Sequence, residues 1–276
     1  MGAIDFNADL GESFGLWERG ADDALMQVIS SANVACGFHA GDPGAMRVAV
    51  ETAARHGVAV GSHPGLPDRL GFGRRVMDVS AADVADYVLY QTGALRAFAA
   101  AAGLRLHHVK PHGALYMMAL DDAPLARAIV EAVGRVDDGL PVYTLAGSEV
   151  WQAAEAAGLQ PVAEFFADRP MRRDGEVVMF GWQQLFEPTP EAVAERVREF
   201  VTTGAVTSLE GDPVTVTAAS ICVHSDTPGA ARIGPAVRAA IEDAGHAVSS
   251  ELPTREKIAI EGAGVGAPGT GGTIGA

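Results

Sequence analysis

The chain has 276 residues, 48% hydrophobic and 20% charged, a globular composition long enough to bury a substantial core. Asp and Glu number 35 against 20 Lys and Arg, and the resulting formal charge of −15 repels phosphate backbones and argues against nucleic acid as a partner. Cys36 and Cys222 form neither a CxxC pair nor a zinc-like spacing, no apolar stretch is long enough to span a bilayer, and no leader pattern opens the chain, so a reduced, cytoplasmic setting with no membrane partner is expected.

Short apolar runs alternate with alanine-rich amphipathic stretches. The first run, 3–9, precedes a helical stretch at 21–29. The second, 32–36, precedes a helix at 43–55 that has proline in its first turn and is closed by Gly57. Strands at 58–62 and 106–110 bracket the longest helix, 81–101. A helix at 124–136, a strand at 142–145, a helix capped by Ser148 and a strand at 162–166 follow. The pattern ends with a helix at 190–201, a strand at 214–223 and a helix at 229–244.

About seven strand–helix units in one α/β chain imply parallel pairing through right-handed crossovers. A single-domain (β/α)7-type barrel over residues 1–261 is the expected fold, because nearly every unusual polar residue lies just after a strand, where such barrels carry their ligands. The Gly- and Ala-rich stretch 262–276 has too little apolar surface to offset its ordering entropy and is expected to be a flexible tail.

Strand ends supply the candidate chemistry. Residues 7–13, NADLGES, place Asn7 and Asp9 on one face by the period of two, with Glu12 just beyond. ACGFHAGDPG offers His39, and Asp42, which also reads as a helix cap. GSHPGLPDRLGFGRR supplies His63 and Arg74 in a long loop, and HHVKPHG supplies Lys110 and His112 on one face, with His107 and His108 read as flanking the strand start. EFFADRP adds Glu164, Asp168 and Arg169, and CVHSD adds His224 and Asp226.

One such histidine means little, but several on successive strand ends converge at a barrel mouth. Imidazoles and carboxylates together suit a divalent metal, with Asp9, His39, His63 and His112 as candidate ligands. The same set equally serves acid–base chemistry without metal. No GxSxG elbow or GxxxxGK[ST] loop occurs in the sequence.

On NADLGESFG, ANVACGFHAGDP, GSHPGLPDRLGFGRR, HVKPHGALY, EFFADRPMRRDGEVV and ICVHSDTPGA, in that order, the sequence resembles the LamB/YcsF family. The resemblance implies a barrel related to glycoside hydrolase and metal-dependent deacetylase barrels. It also implies 5-oxoprolinase activity, the opening of 5-oxoproline to glutamate coupled to hydrolysis of ATP, with magnesium as its counterion, and partner subunits B and C. Asp9, His63, Lys110 and His112 are the expected catalytic residues. Lys110 would stabilise developing negative charge, Asp9 or His63 would position water, His112 would protonate the leaving nitrogen, and Arg169 would hold the substrate carboxylate. Asn7, Glu12, His39, Arg74, Glu164, Asp168, His224 and Asp226 complete the expected binding ring. Two alternatives stay open: a metal-dependent deacetylase or amidohydrolase that needs no ATP, and a non-catalytic carrier of 5-oxoproline.

Overall fold

The computed structural model describes residues 2–252. Seven parallel strands close a barrel: β1 (Ala3–Leu10), β2 (Ser31–Ala35), β3 (Ala59–His63), β4 (Leu106–Val109), β5 (Val142–Thr144), β6 (Pro161–Phe166) and, beyond a small antiparallel pair, β9 (Ser220–His224). Closure comes from β1, which pairs with β2 along one edge and with β9 along the other, Asp9 lying opposite both Asn33 and His224. The short β10 (Ala247–Val248) pairs in parallel with the start of β1. The expected tail, 262–276, lies outside the described residues. No described helix is long and apolar enough to cross a membrane.

Helices α1 (Asp22–Leu25), α2 (Pro43–His56), α3 (Ala81–Ala101), α4 (Gly113–Asp121), α5 (Ala123–Val136), α6 (Glu149–Ala157), α7 (Pro190–Thr203) and α8 (Ala230–Asp243) follow from local signals where those are strong. Asp42 accepts from Ala45 N at 2.9 Å to cap α2, Pro43 opens it, and Gly57 ends it at φ 69°. Ser80 and Asp83 form a reciprocal capping box on α3, and Ser148 caps α6.

The expected strand 214–223 is in fact two elements. Pro213–Thr215 forms β8, paired antiparallel with β7 (Ala205–Thr207) and partly exposed, whereas Ser220–His224 is fully buried in the barrel. A barrel strand is covered on both faces, and only the SICVH run meets that demand. Helix α4 has no counterpart in the sequence reading. Its GALYMMALD segment is apolar nearly all round, which erases the periodicity that would reveal it. The expected 21–29 helix shortens to the single turn of α1.

The strands alternate as a barrel requires, but with an unusual inward face. Phe6, Ala8, Leu10, Ala32, Val34, Ile221 and Val223 belong to the apolar core shared with the surrounding helices. The alternate positions point inward and are polar, where barrels of this kind are ordinarily filled by branched apolar residues. At the base, Asp5 accepts from Ser31 Oγ at 2.8 Å, Tyr143 OH at 2.9 Å and Ser220 Oγ at 2.6 Å. One layer up, Asn33 Nδ2 donates to Asn7 Oδ1 at 2.7 Å and to Asp9 Oδ1 at 2.8 Å, and His108 Nε2 donates to Asn33 Oδ1 at 2.6 Å. Each group is tolerable because it is hydrogen-bonded. Left unpaired, it would cost about 1–3 kcal/mol.

His107 and His108 therefore lie within β4 and do not merely flank it. The β3–β4 register advances from Val60 opposite Leu106 to Ser62 opposite Val109, so β4 carries one extra residue, a bulge that swings His108 into the barrel. Gly61 makes this possible, since a Cβ there would collide with the His108 ring.

Candidate active site

The polar column ends at the carboxyl edge of the strands in a buried ion cluster. Lys110, just past β4, places Nζ 2.9 Å from Glu164 Oε2 and 3.3 Å from Asp9 Oδ1, and donates to Cys222 Sγ at 3.0 Å. Burial opposes the ammonium charge, but Asp9, with Cys222 and Glu164, more than offsets it, and the Lys110 pKa is held well above the ordinary lysine value. Burial likewise pushes the Asp9 carboxyl up, and His63 and Lys110 together bring it well below the usual range. Lys110 is a fixed cation here and not a base.

Three imidazoles gather beside this cluster. His63, ending β3, sits with Nδ1 2.7 Å from Lys110 O and Nε2 3.4 Å from Asp9 Oδ2. His112 lies with Nε2 2.7 Å from Phe72 O and Nδ1 3.0 Å from His63 Nε2. His39, on the loop after β2, stacks on His112 with ring centroids 3.7 Å apart. Gly65 and Gly73 leave the room these rings occupy. Glu12 is buried alongside, its carboxyl raised by burial first and then by Asp226 and Asp9.

On the other side, His224 Nδ1 lies 2.9 Å from Asp168 Oδ1, and its Nε2 is 3.7 Å from Asp9 Oδ2. Asp168 also accepts from His224 N at 3.0 Å and Thr227 Oγ1 at 2.6 Å, and it pairs with Arg169 at 3.0 Å. Burial pushes this carboxyl up, and Arg169 and His224 overcome that to keep it well below the usual range. The imidazole is thus fixed by a carboxylate on one nitrogen and turned toward the mouth with the other, the arrangement of an oriented acid–base histidine.

Asp9, Lys110, His112, His224, Arg74 and Phe180 are among the groups around a cavity of about 20 Å³, room for one water-sized guest. Of the expected ring, Asp9, Glu12, His39, His63, Lys110, His112, Glu164, Asp168 and His224 come together. Asn7 is drawn into the layer below. Arg74 and Asp226 pair with each other at the rim at 2.9 Å.

Arg169 is 1% exposed and packed on Trp182, and its Nη1 reaches Asp168 and Thr227, so it holds Asp168 in place. His112 is bonded to a carbonyl through one nitrogen and faces another imidazole with the other. Asp5, Asn33 and Tyr143 join the polar column without being among the expected site residues. The period of two running back from Asp9 and Asn7 would have reached Asp5.

A model of the LamB/YcsF family matches residues 4–256. The chain belongs to that family. Within it, the chain is 48% identical to the A subunit of 5-oxoprolinase from Heliobacterium modesticaldum, over 90% of this chain and 97% of that protein. It is 49% identical to the corresponding A subunit from Mycobacterium avium, over 89% and 97%. The crystal structure of the lactam utilization protein from Thermus thermophilus superposes with a TM-score of 0.85 at 46% identity, covering 90% of this chain and all of that one. A protein from Enterococcus faecalis V583, at 13% identity and TM-score 0.50, shares the barrel fold alone.

The buried imidazoles of this LamB/YcsF barrel give it a predictable acid response. Burial holds His108 well below the ordinary histidine pKa, as it does His39 and His112. The unfolded chain takes up protons near pH 6.5 and the folded chain does not, so this stability is complete above that pH and declines as pH falls toward the folded values. Each such group contributes a slope of about 1.4 kcal/mol per pH unit. Burial raises Glu12, and raises Asp22 to about 6, and both act in the opposite sense to the imidazoles. Urea midpoints of metal-free protein are expected to fall as pH drops from about 6.5 to about 5.5. A flat profile would contradict neutral burial of these rings.

Proposed function

We propose that this chain is the A subunit of an ATP-dependent 5-oxoprolinase, opening the lactam of 5-oxoproline to glutamate together with partner subunits B and C. The observation that carries the reading is the fixed Lys110 ammonium between Asp9 and Glu164, set against the Asp168-oriented His224 across one small cavity. Its substrate is taken from the likeness to 5-oxoprolinase A subunits over some nine-tenths of the chain.

A five-membered lactam resists water because its carbonyl is stabilised by the ring nitrogen. Transfer of the ATP γ-phosphoryl group to the carbonyl oxygen makes that carbon a strong electrophile. Lys110 offsets negative charge gathering on the oxygen and the phosphoryl group. His224 Nε2 takes a proton from the attacking water as the C–O bond forms, then returns it to the ring nitrogen as the C–N bond breaks. A second water removes the phosphate from the acyl carbon, giving glutamate, ADP and phosphate. Arg74, partly exposed at the rim, is the cation that meets the substrate carboxylate once it exchanges Asp226 for it.

The chain has no GxxxxGK[ST] loop, which supports ATP, with its magnesium, binding at a junction with a partner. Leu16, Trp17 and Leu70 stand exposed on the loops after β1 and β3, a surface suited to such a partner. Glutamate release from 5-oxoproline is expected only when this chain, subunits B and C, and ATP are all present. Turnover by the chain alone, or by the mixture without ATP, would sink the proposal. The clustered imidazoles favour a second reading, ATP-independent hydrolysis of an N-acyl substrate, and acetate release from an N-acetyl substrate would select it.

A further inference from the structure

Two backbone carbonyls fix the protons on the mouth imidazoles. His63 Nδ1 lies 2.7 Å from Lys110 O and His112 Nε2 lies 2.7 Å from Phe72 O. A carbonyl oxygen only accepts, so those two nitrogens carry the hydrogens. The remaining nitrogens, His63 Nε2 and His112 Nδ1, then turn lone pairs toward each other at 3.0 Å. Two acceptors at that distance call for a cation between them. A shared proton would satisfy this pair but not His39, which is 1% exposed, stacked on His112, and without a hydrogen-bond partner at either ring nitrogen among the described residues. Burial without partners is costly for such a group. One donor atom from each of these three rings and one carboxylate oxygen of Glu12 all lie within 4.8 Å of one another.

We propose that Glu12, His39, His63 and His112 bind one divalent transition-metal ion of the zinc type. Three imidazoles and a carboxylate form a borderline donor set that suits zinc, whereas magnesium takes oxygen ligands, so the counterion of ATP is not the occupant. Nitrogens 3.0 Å apart can both reach an ion at about 2.0–2.1 Å. The Lys110 and Phe72 carbonyls orient two of the rings from behind, as the outer partners of metal-bound histidines do.

The set departs from the one expected from the sequence by taking Glu12 in place of Asp9. Asp9 Oδ1 is spent on Asn33 and Lys110, and Asp9 Oδ2 stands beside the site, 3.4 Å from His63 Nε2. Asp9, Cys222 and His224 form a second grouping of donor atoms. There, however, Cys222 already accepts from Lys110, and His224 is held by Asp168.

The inference stands apart from the lactam reading, because binding is measured on the full chain without substrate, nucleotide or partner. Protein stripped with chelator and desalted is titrated with Zn²⁺ by calorimetry and with Co²⁺ by absorption. Expected are one ion per chain, a rise in melting temperature with Zn²⁺, and visible Co²⁺ bands without an intense near-ultraviolet thiolate band. His39→Ala is expected to weaken binding at least roughly tenfold, as even the loss of an outer-shell partner does at other metal sites. The wild-type titration is decisive even where a variant folds poorly. Absence of a stoichiometric ion, a thiolate band pointing to Cys222, or unchanged affinity in folded His39→Ala would each overturn the proposal. Ion binding without ATP-dependent lactam opening would leave it standing and remove the other.

Discussion

Lys110→Met is expected to lower ATP-dependent glutamate release by the complete assembly about 10²–10³-fold, the usual loss when a preorganised charge-stabilising group is removed. The side chain fills a space enclosed by Asp9, Glu164, Cys222 and the Phe166 ring, so no water replaces its charge cheaply. The same change leaves two buried carboxylates facing each other, and a stability loss of about 3–5 kcal/mol is expected alongside. Activity is therefore compared at a temperature where circular dichroism shows the variant folded. Lys110→Arg is expected to rescue little, because a planar guanidinium does not fit a site shaped around one ammonium. A folded Lys110→Met variant within tenfold of wild type would remove Lys110 from the chemistry.

Asp168→Asn is expected to lower kcat about 10²–10⁴-fold with KM for 5-oxoproline near its wild-type value. Asp168 is not among the groups around the cavity. It acts by fixing the His224 ring through the 2.9 Å contact at Nδ1 while Nε2 works at the mouth. A purely structural role would raise KM and lower stability together, so the kcat-against-KM split separates the two. The second test is coupling: the Asp168→Asn, His224→Gln double variant is expected to be hardly worse than His224→Gln alone, since both changes remove one function. Full additivity would show that Asp168 and His224 act independently.

Several site residues were legible because strand ends obey simple rules. Asn7 and Asp9 share a face by the period of two, and His63, Lys110 and His112 follow buried strands where a polar group needs a reason to be. Their convergence followed from seven strand–helix repeats, since a barrel brings all its strand ends to one rim. The partners of each group were not legible. His108 reads as a flanking residue until the extra residue in β4 turns it inward, and a bulge has no signature in the HHVK run itself. Arg169 reads as a fork at the rim, and only the fold stacks it on Trp182 and pairs its Nη1 with Asp168.

The sequence by itself determined the alternation of elements, the caps of α2 and α6, and the residue types gathered at the mouth, because these depend on neighbours a few positions apart. Only the tertiary structure decided that the barrel interior is a hydrogen-bonded polar column, that Lys110 keeps its charge, and that Asp168 fixes the His224 ring through one nitrogen. Those outcomes rest on contacts such as Asp9 with Lys110 and Asp168 with His224. Such partners lie tens of residues apart, and their energies depend on burial and distance that exist only once the barrel has closed.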